Sequence, residues 1–189
     1  MKKLVALNGV RAMAIAAAGL VALAVPLAAT AADKDEKFEK FVAAFQAVEV
    51  MDRNVDGSCV PASPGTESTV MGRISGAGMG TGGIGAFTLS SLDCVRAANP
   101  YFQMPYTFSS KLLKLTTSNG DEITAAYSGT AVFDPTTFLL VLNGTFEFTG
   151  GTGKYSKVRG GGQIVGAEDI SKFPAATGFV TLIGRIAHP

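Results

Sequence analysis

Few residues in this 189-residue chain are equipped for acid–base or covalent chemistry. His188 is the single histidine and stands next to the last residue, so a hydrolytic triad has no base in the body of the chain. One histidine and two cysteines, Cys59 and Cys94, are also too few to hold zinc, and neither a metal nor a cofactor is expected. A cysteine nucleophile would need Cys59 or Cys94 free beside a base; the alternatives are two buried thiols or one Cys59–Cys94 bridge. Among the carboxylates, Glu147 is the one acid in the middle of a strong alternating run, on the face opposite Phe146 and Phe148. Pointing inward it would be a buried carboxyl with a raised pKa, a candidate general acid or base. Pointing outward it is an ordinary solvated side chain, and that orientation is favoured because charges are rarely buried without a partner.

Three literal motif matches fail on context. Gly78-Met79-Gly80-Thr81-Gly82-Gly83 fits the dinucleotide pattern, but no parallel strand precedes it and no helix follows to aim amides at a pyrophosphate. Gly153-Lys154-Tyr155 lacks the Ser or Thr of a phosphate loop. Asn143-Gly144-Thr145 is formally a glycosylation acceptor, yet it lies inside a strand pattern.

The elements that must position these residues read as strands. Leu140–Gly162 organises the chain: an alternating run through Phe146 and Phe148 breaks at Gly150-Gly151-Thr152-Gly153, turns over Lys154–Val158 and restarts after Gly160–Gly162. Further strands are expected at Ser68–Ala77, Gly85–Val95, Lys111–Ser118, Glu122–Phe133, Phe138–Thr149, Gly161–Ala167 and Gly178–Ala187. Asn119-Gly120 between two alternating runs is a strong hairpin signal, while Ala97–Pro105 and Ser171–Ala176 read as connections. Phe41–Met51 is ambiguous: Phe38, Phe41, Phe45 and Val48 have helical spacing, whereas Phe41, Ala43, Phe45 and Ala47 share one face of a strand. About eight strands with short turns imply an all-β domain with antiparallel pairing. An eight-stranded antiparallel barrel removes its edges most simply, and a two-sheet sandwich is the alternative.

The first 31 residues read as a secretory signal peptide: Lys2 and Lys3, the apolar run Ala12–Leu27, then Ala29-Thr30-Ala31. Residues 32–40 form a charged lead-in, and 41–189 a single domain. Three of the sixteen basic residues leave with the leader, so the mature chain carries fifteen acids against thirteen bases, a net charge of −2. That balance argues against nucleic acid as a partner, and no second long apolar segment suggests a membrane. Export, periplasmic or extracellular, makes the Cys59–Cys94 bridge the leading reading of the two thiols.

The run from Phe146 to Tyr155 resembles a motif of exported bacterial proteins in the allene-oxide-cyclase and dirigent-like barrel group, where an apolar strand runs into Gly-Gly-Thr-Gly, a basic residue and an aromatic. Ser118–Glu122 is similar to that group's Asn-Gly-Asp hairpin, and Gly72-Arg73-Ile74 with Gly85-Ala86-Phe87 to its glycine-spaced strand pair. The resemblance implies an eight-stranded antiparallel barrel around an apolar cavity, with Phe41–Met51 as its first strand. It implies no catalytic residue by position: dirigent proteins use cavity Asp, Arg and Tyr residues, and Arg73, Arg96, Arg185, Tyr101, Tyr106 and Tyr127 are present without a spacing that unites them. Three functions follow as expectations: a barrel binding a small apolar ligand or a partner, a cyclase- or isomerase-like enzyme, and a structural barrel with a filled interior.

Overall fold

A computed structural model of the chain describes residues 37–54 and 57–188; the expected signal peptide lies outside the described residues. Eight strands make up the domain: β1 (Glu39–Arg53), β2 (Ser68–Gly80), β3 (Gly85–Ala97), β4 (Tyr106–Thr117), β5 (Glu122–Asp134), β6 (Leu139–Gly151), β7 (Arg159–Lys172) and β8 (Ala175–Ala187). Each pairs antiparallel with the next, and β8 pairs with β1, so the sheet closes into a barrel without free edges. Among the described residues the one helical element is a single 3-10 turn at Gly153–Tyr155, inside the expected glycine-rich corner.

β1 settles the ambiguous first segment as a strand, two residues longer at each end than the alternation suggested, so Glu39 and Lys40 belong to it and not to a lead-in. Phe41, Ala43, Phe45 and Ala47 are buried, while Phe38 and Val48 are exposed. The helical spacing was a coincidence of Phe38 and Val48, both on the solvent side. As a strand the segment pairs with both β2 and β8, whereas a helix would satisfy its own amides and leave the facing edges of those two strands open.

β4 starts five residues before the expected Lys111. Phe108 and Ser110 face inward, then two consecutive residues, Lys111 and Leu112, face out, and Leu113, Leu115 and Thr117 face in again. The register shifts against both β3 and β5 at this point, so β4 carries a β-bulge. The bulge inverts the parity of the alternation, which hid Tyr106–Ser110 from a strict period-two reading. β7 and β8 also run longer than expected and leave only Phe173 and Pro174 as the turn between them.

The interior is packed with apolar side chains along its length. At the glycine-rich end, Phe41 meets Phe148 edge-on at 5.2 Å, and Tyr155 is wholly buried. The Tyr155 hydroxyl and Lys154 Nζ both donate to the carbonyl oxygen of Gly83, at 2.8 and 2.9 Å, tying that corner across to the β2–β3 hairpin. At the other end Val70, Phe102, Tyr106, Phe133 and Ile170 pack partly buried against the core. Outside the barrel, a disulfide joins Cys59 to Cys94 and fastens the β1–β2 connection onto the outer face of β3. Met71 is paired with Cys94 on the neighbouring strand and lies fully buried beneath that connection, with Ser58 Oγ 3.3 Å from its sulfur.

Candidate functional site

Three acidic residues break the apolar interior. Glu49 continues the inward series of β1 beyond Ala47; Asp93 follows Leu89 and Ser91 along β3; Glu168 follows Ile164 along β7. They are 3, 5 and 5% exposed, a degree of burial that charged side chains almost never show unpaired.

Two glycines let them converge. β8 separates Glu168 from β1, and Gly178 is the β8 residue opposite both Glu168 and Ala47. β2 separates β1 from β3, and Gly72 stands between Met51 and Asp93. A Cβ on Gly178 would sit 2.5 Å from Glu168 Cγ, and one on Gly72 only 1.7 Å from Glu49 Oε1. Neither distance is compatible with a side chain, so these two positions provide the space that the carboxyls occupy.

Burial pushes Glu49 up to about 9, and the nearby charges of Glu168 and Asp93 add to the rise. Glu168 is raised by burial too and shares a hydrogen bond with Glu49, so the two lose their protons as a pair. Asp93 is pushed up to about 7 by burial, held back by the hydroxyl of Tyr127. Tyr127 itself is driven well above the usual phenol range, first by burial and then by the Asp93 charge. Ser91 Oγ lies 3.0 Å from both Tyr127 Oη and Ser110 Oγ, which extends the polar group to the bulge in β4. Among the described residues no Lys, Arg or His lines this chamber.

The chamber has a volume of about 40 Å³ and apolar walls that include Phe45, Leu89, Phe108, Leu142, Ile164 and Val180. That space admits about three waters or an equally compact ligand. Glu49 Oε1 and Asp93 Oδ1 border it, buried and without a hydrogen-bond partner. At neutral pH the arrangement therefore presents a protonated carboxyl as donor beside a carboxyl that is close to half ionised. A raised acid next to a group titrating near neutrality is a combination that can both hold an oxygen-bearing ligand and move a proton.

No family model matches the chain, and no curated protein matches it. A solved structure of an acetoacetate decarboxylase-like enzyme from Sphingomonas wittichii RW1 is similar over 82% of this chain and 93% of that one, at 7% identity and a TM-score of 0.27. A likeness that slight carries no argument.

Glu147 stands exposed on the outer face of β6, away from the chamber. Of the arginines and tyrosines singled out by the dirigent resemblance, only Tyr127 lines it; Tyr101 is exposed, and Arg96 lies on the outer wall. The cysteines are joined to each other, and no described cysteine is free to act as a nucleophile. Glu49, Asp93 and Glu168 were not among the sequence candidates. Their signal was parity: each shares the phase of the buried apolar residues in its strand.

Proposed function

We propose that the barrel binds a compact, mostly apolar ligand bearing one oxygen acceptor, such as a short ketone, alcohol or carboxylic acid, in the chamber beside Glu49, Asp93, Glu168 and Tyr127. The observation that carries this reading is the burial of three carboxyls and a phenol in one apolar space with no cation among the described residues that line it. Such burial is unfavourable for folding, and sites that keep perturbed acids at that expense are functional candidates. Protonated carboxyls would donate to the ligand's oxygen while the aliphatic walls cover its carbon chain. A chamber of this size takes about four non-hydrogen atoms. At the best efficiency known for tiny ligands that is about 6 kcal/mol, or a Kd no tighter than tens of micromolar.

A second reading, proton-transfer catalysis of the isomerase or cyclase kind, draws on the separation between Glu49 at about 9 and Asp93 at about 7. One would serve as acid and the other as base on a bound carbonyl compound. The allene-oxide-cyclase or dirigent grouping rests on the glycine-rich corner and hairpin motifs. Action outside the cytoplasm is supported by the disulfide.

Thermal unfolding at pH 6 with ketones, alcohols and acids of about four non-hydrogen atoms, namely acetone, propanol and acetic acid, tests the binding reading. At least one class should raise Tm in the wild type, and Ala47→Val, which narrows the chamber, should remove the shift. No stabilisation by any of these compounds, together with native mass spectra free of retained ligand, would leave the filled structural barrel in its place.

A further inference from the structure

The bulge in β4 has an effect on the outside of the barrel as well. Between Ser91 and Cys94 of β3 and Ser109 and Leu113 of β4 the ladder loses its regular register. A groove of about 610 Å³ opens on the outer wall there, within the range that holds a small organic molecule. Its far side is formed by Ser58 and Val60, which belong to the connection that the Cys59–Cys94 bridge pins in place.

Among the described residues the groove is lined by three cationic side chains, Arg96, Lys111 and Lys114, and by no acid. Arg96 is fixed in position: Nη1 donates to Ser109 Oγ at 3.1 Å and Nη2 to the carbonyl oxygen of Val60 at 3.2 Å. Its Nε is buried and has no acceptor. Lys114 is held by Glu122 at 3.1 Å, and Lys111 projects from the bulge itself. Apolar surface lies between these cations, from Val60 and Leu112, both more than half exposed, and from Leu92. A guanidinium that is already oriented suits a carboxylate, sulfonate or phosphate better than a mobile ammonium does.

The geometry points to a binding site for an organic anion with an apolar body on the outer wall of β3 and β4, its anionic group held by Arg96 and Lys111 and its body lying on Val60, Leu92 and Leu112. This site is separate from the interior chamber and does not depend on what that chamber holds. Ser91 lines both spaces, and its hydroxyl at the floor of the groove also lies 3.0 Å from the Tyr127 hydroxyl.

The test uses two fluorescent probes with the same aromatic body: 8-anilinonaphthalene-1-sulfonate, an anion, and N-phenyl-1-naphthylamine, which is neutral. The folded protein should bind the sulfonate at one site and the neutral probe much more weakly. Arg96→Gln should weaken sulfonate binding about tenfold, the loss expected for a charge-assisted hydrogen bond. Lys111→Gln should weaken it several-fold, and Lys111→Glu more. Because Arg96 also ties down Val60, circular dichroism of each variant establishes that it folds, and the exposed Lys111 pair decides the matter if Arg96→Gln does not. Ala47→Val, in the interior, should leave sulfonate binding unchanged. Equal affinity for the two probes, or wild-type affinity in both Lys111 variants, would overturn the proposal.

Discussion

Replacing Glu49 with Gln should make the barrel more stable, and the gain should grow with pH. Glu49 keeps its proton to about 9 in the folded protein, whereas an ordinary glutamate loses it near 4.5. Asp93 behaves likewise, between an ordinary 3.8 and about 7. Folding therefore raises both affinities for a proton, and stability is fully present below the unfolded values. It declines as pH rises through the window from about 4 to 7 for Asp93 and about 4.5 to 9 for Glu49. Each pH unit inside a window removes about 1.4 kcal/mol per group. Glutamine keeps the shape of the protonated acid and has no proton to lose, so Glu49→Gln should gain about 5 kcal/mol at pH 8 and under about 1 kcal/mol at pH 5. In thermal melts the pH 8 gain corresponds to roughly 10–20 °C. Urea titrations followed by far-UV circular dichroism at pH 5, 6.5 and 8 would measure it. The chain contains no tryptophan, so its intrinsic fluorescence comes from its four tyrosines and Tyr127 reports on the cluster itself. Parallel pH profiles for the two proteins, or a wild-type stability that stays level from pH 5 to 8, would refute the reasoning.

Gly72→Ala should displace the Glu49 side chain, since the new methyl would overlap Oε1, and lower stability by about 1–3 kcal/mol. The same urea series would show it, and an unchanged midpoint would mean that Glu49 does not fill that space. Removing the bridge as Cys59→Ala with Cys94→Ala should cost about 3–4 kcal/mol for a loop closed over 35 residues. Thiol titration of the denatured, unreduced wild type should find no free thiol. Gly120 has φ +89° and open space around it, so Gly120→Val should lose about 1–3 kcal/mol from backbone strain alone. A denaturation midpoint equal to that of the wild type would show that the turn relaxes to accommodate valine.

The barrel was largely legible in the sequence because closure leaves its mark on every strand: apolar residues at alternate positions and turn residues between them. Where reading failed, the cause was a change of phase or of boundary. β4 was cut short because the bulge at Lys111 and Leu112 moves its inward series from even to odd positions. The site suffered more. Glu168 lies just past the end expected for its strand at Ala167, before the expected connection Ser171–Ala176 begins. Glu49 sat in a segment whose period was undecided, and a carboxylate on a helix carries no inward meaning. Ser91 and Asp93 occupy the inward phase of β3 but are polar, and a lone polar residue in a strand is normally assigned to the solvent side. Glu147 attracted notice because it interrupts the strongest alternating run, but its parity is opposite to that of Phe146 and Phe148, which is why it is outside. Convergence of Glu49, Asp93 and Glu168 depends on which strands are neighbours across Gly72 and Gly178, and that information exists only once the register is known.

The connection pinned by Cys59 and Cys94 has a consequence for how the protein would age under peroxide. Met71 is turned away from the barrel interior, toward the side where peroxide would arrive, yet it is fully buried because that connection lies over it. While the bridge is intact the thioether is shielded. Once the bridge is reduced the cover is held only by non-covalent contacts, and the sulfur becomes open to oxidation to the polar sulfoxide. A sulfoxide there would no longer fit under the loop, so a single reductive event would be recorded as a lasting chemical mark on a neighbouring strand, readable as a sixteen-dalton gain (~16 Da, one oxygen) in the peptide that contains Met71.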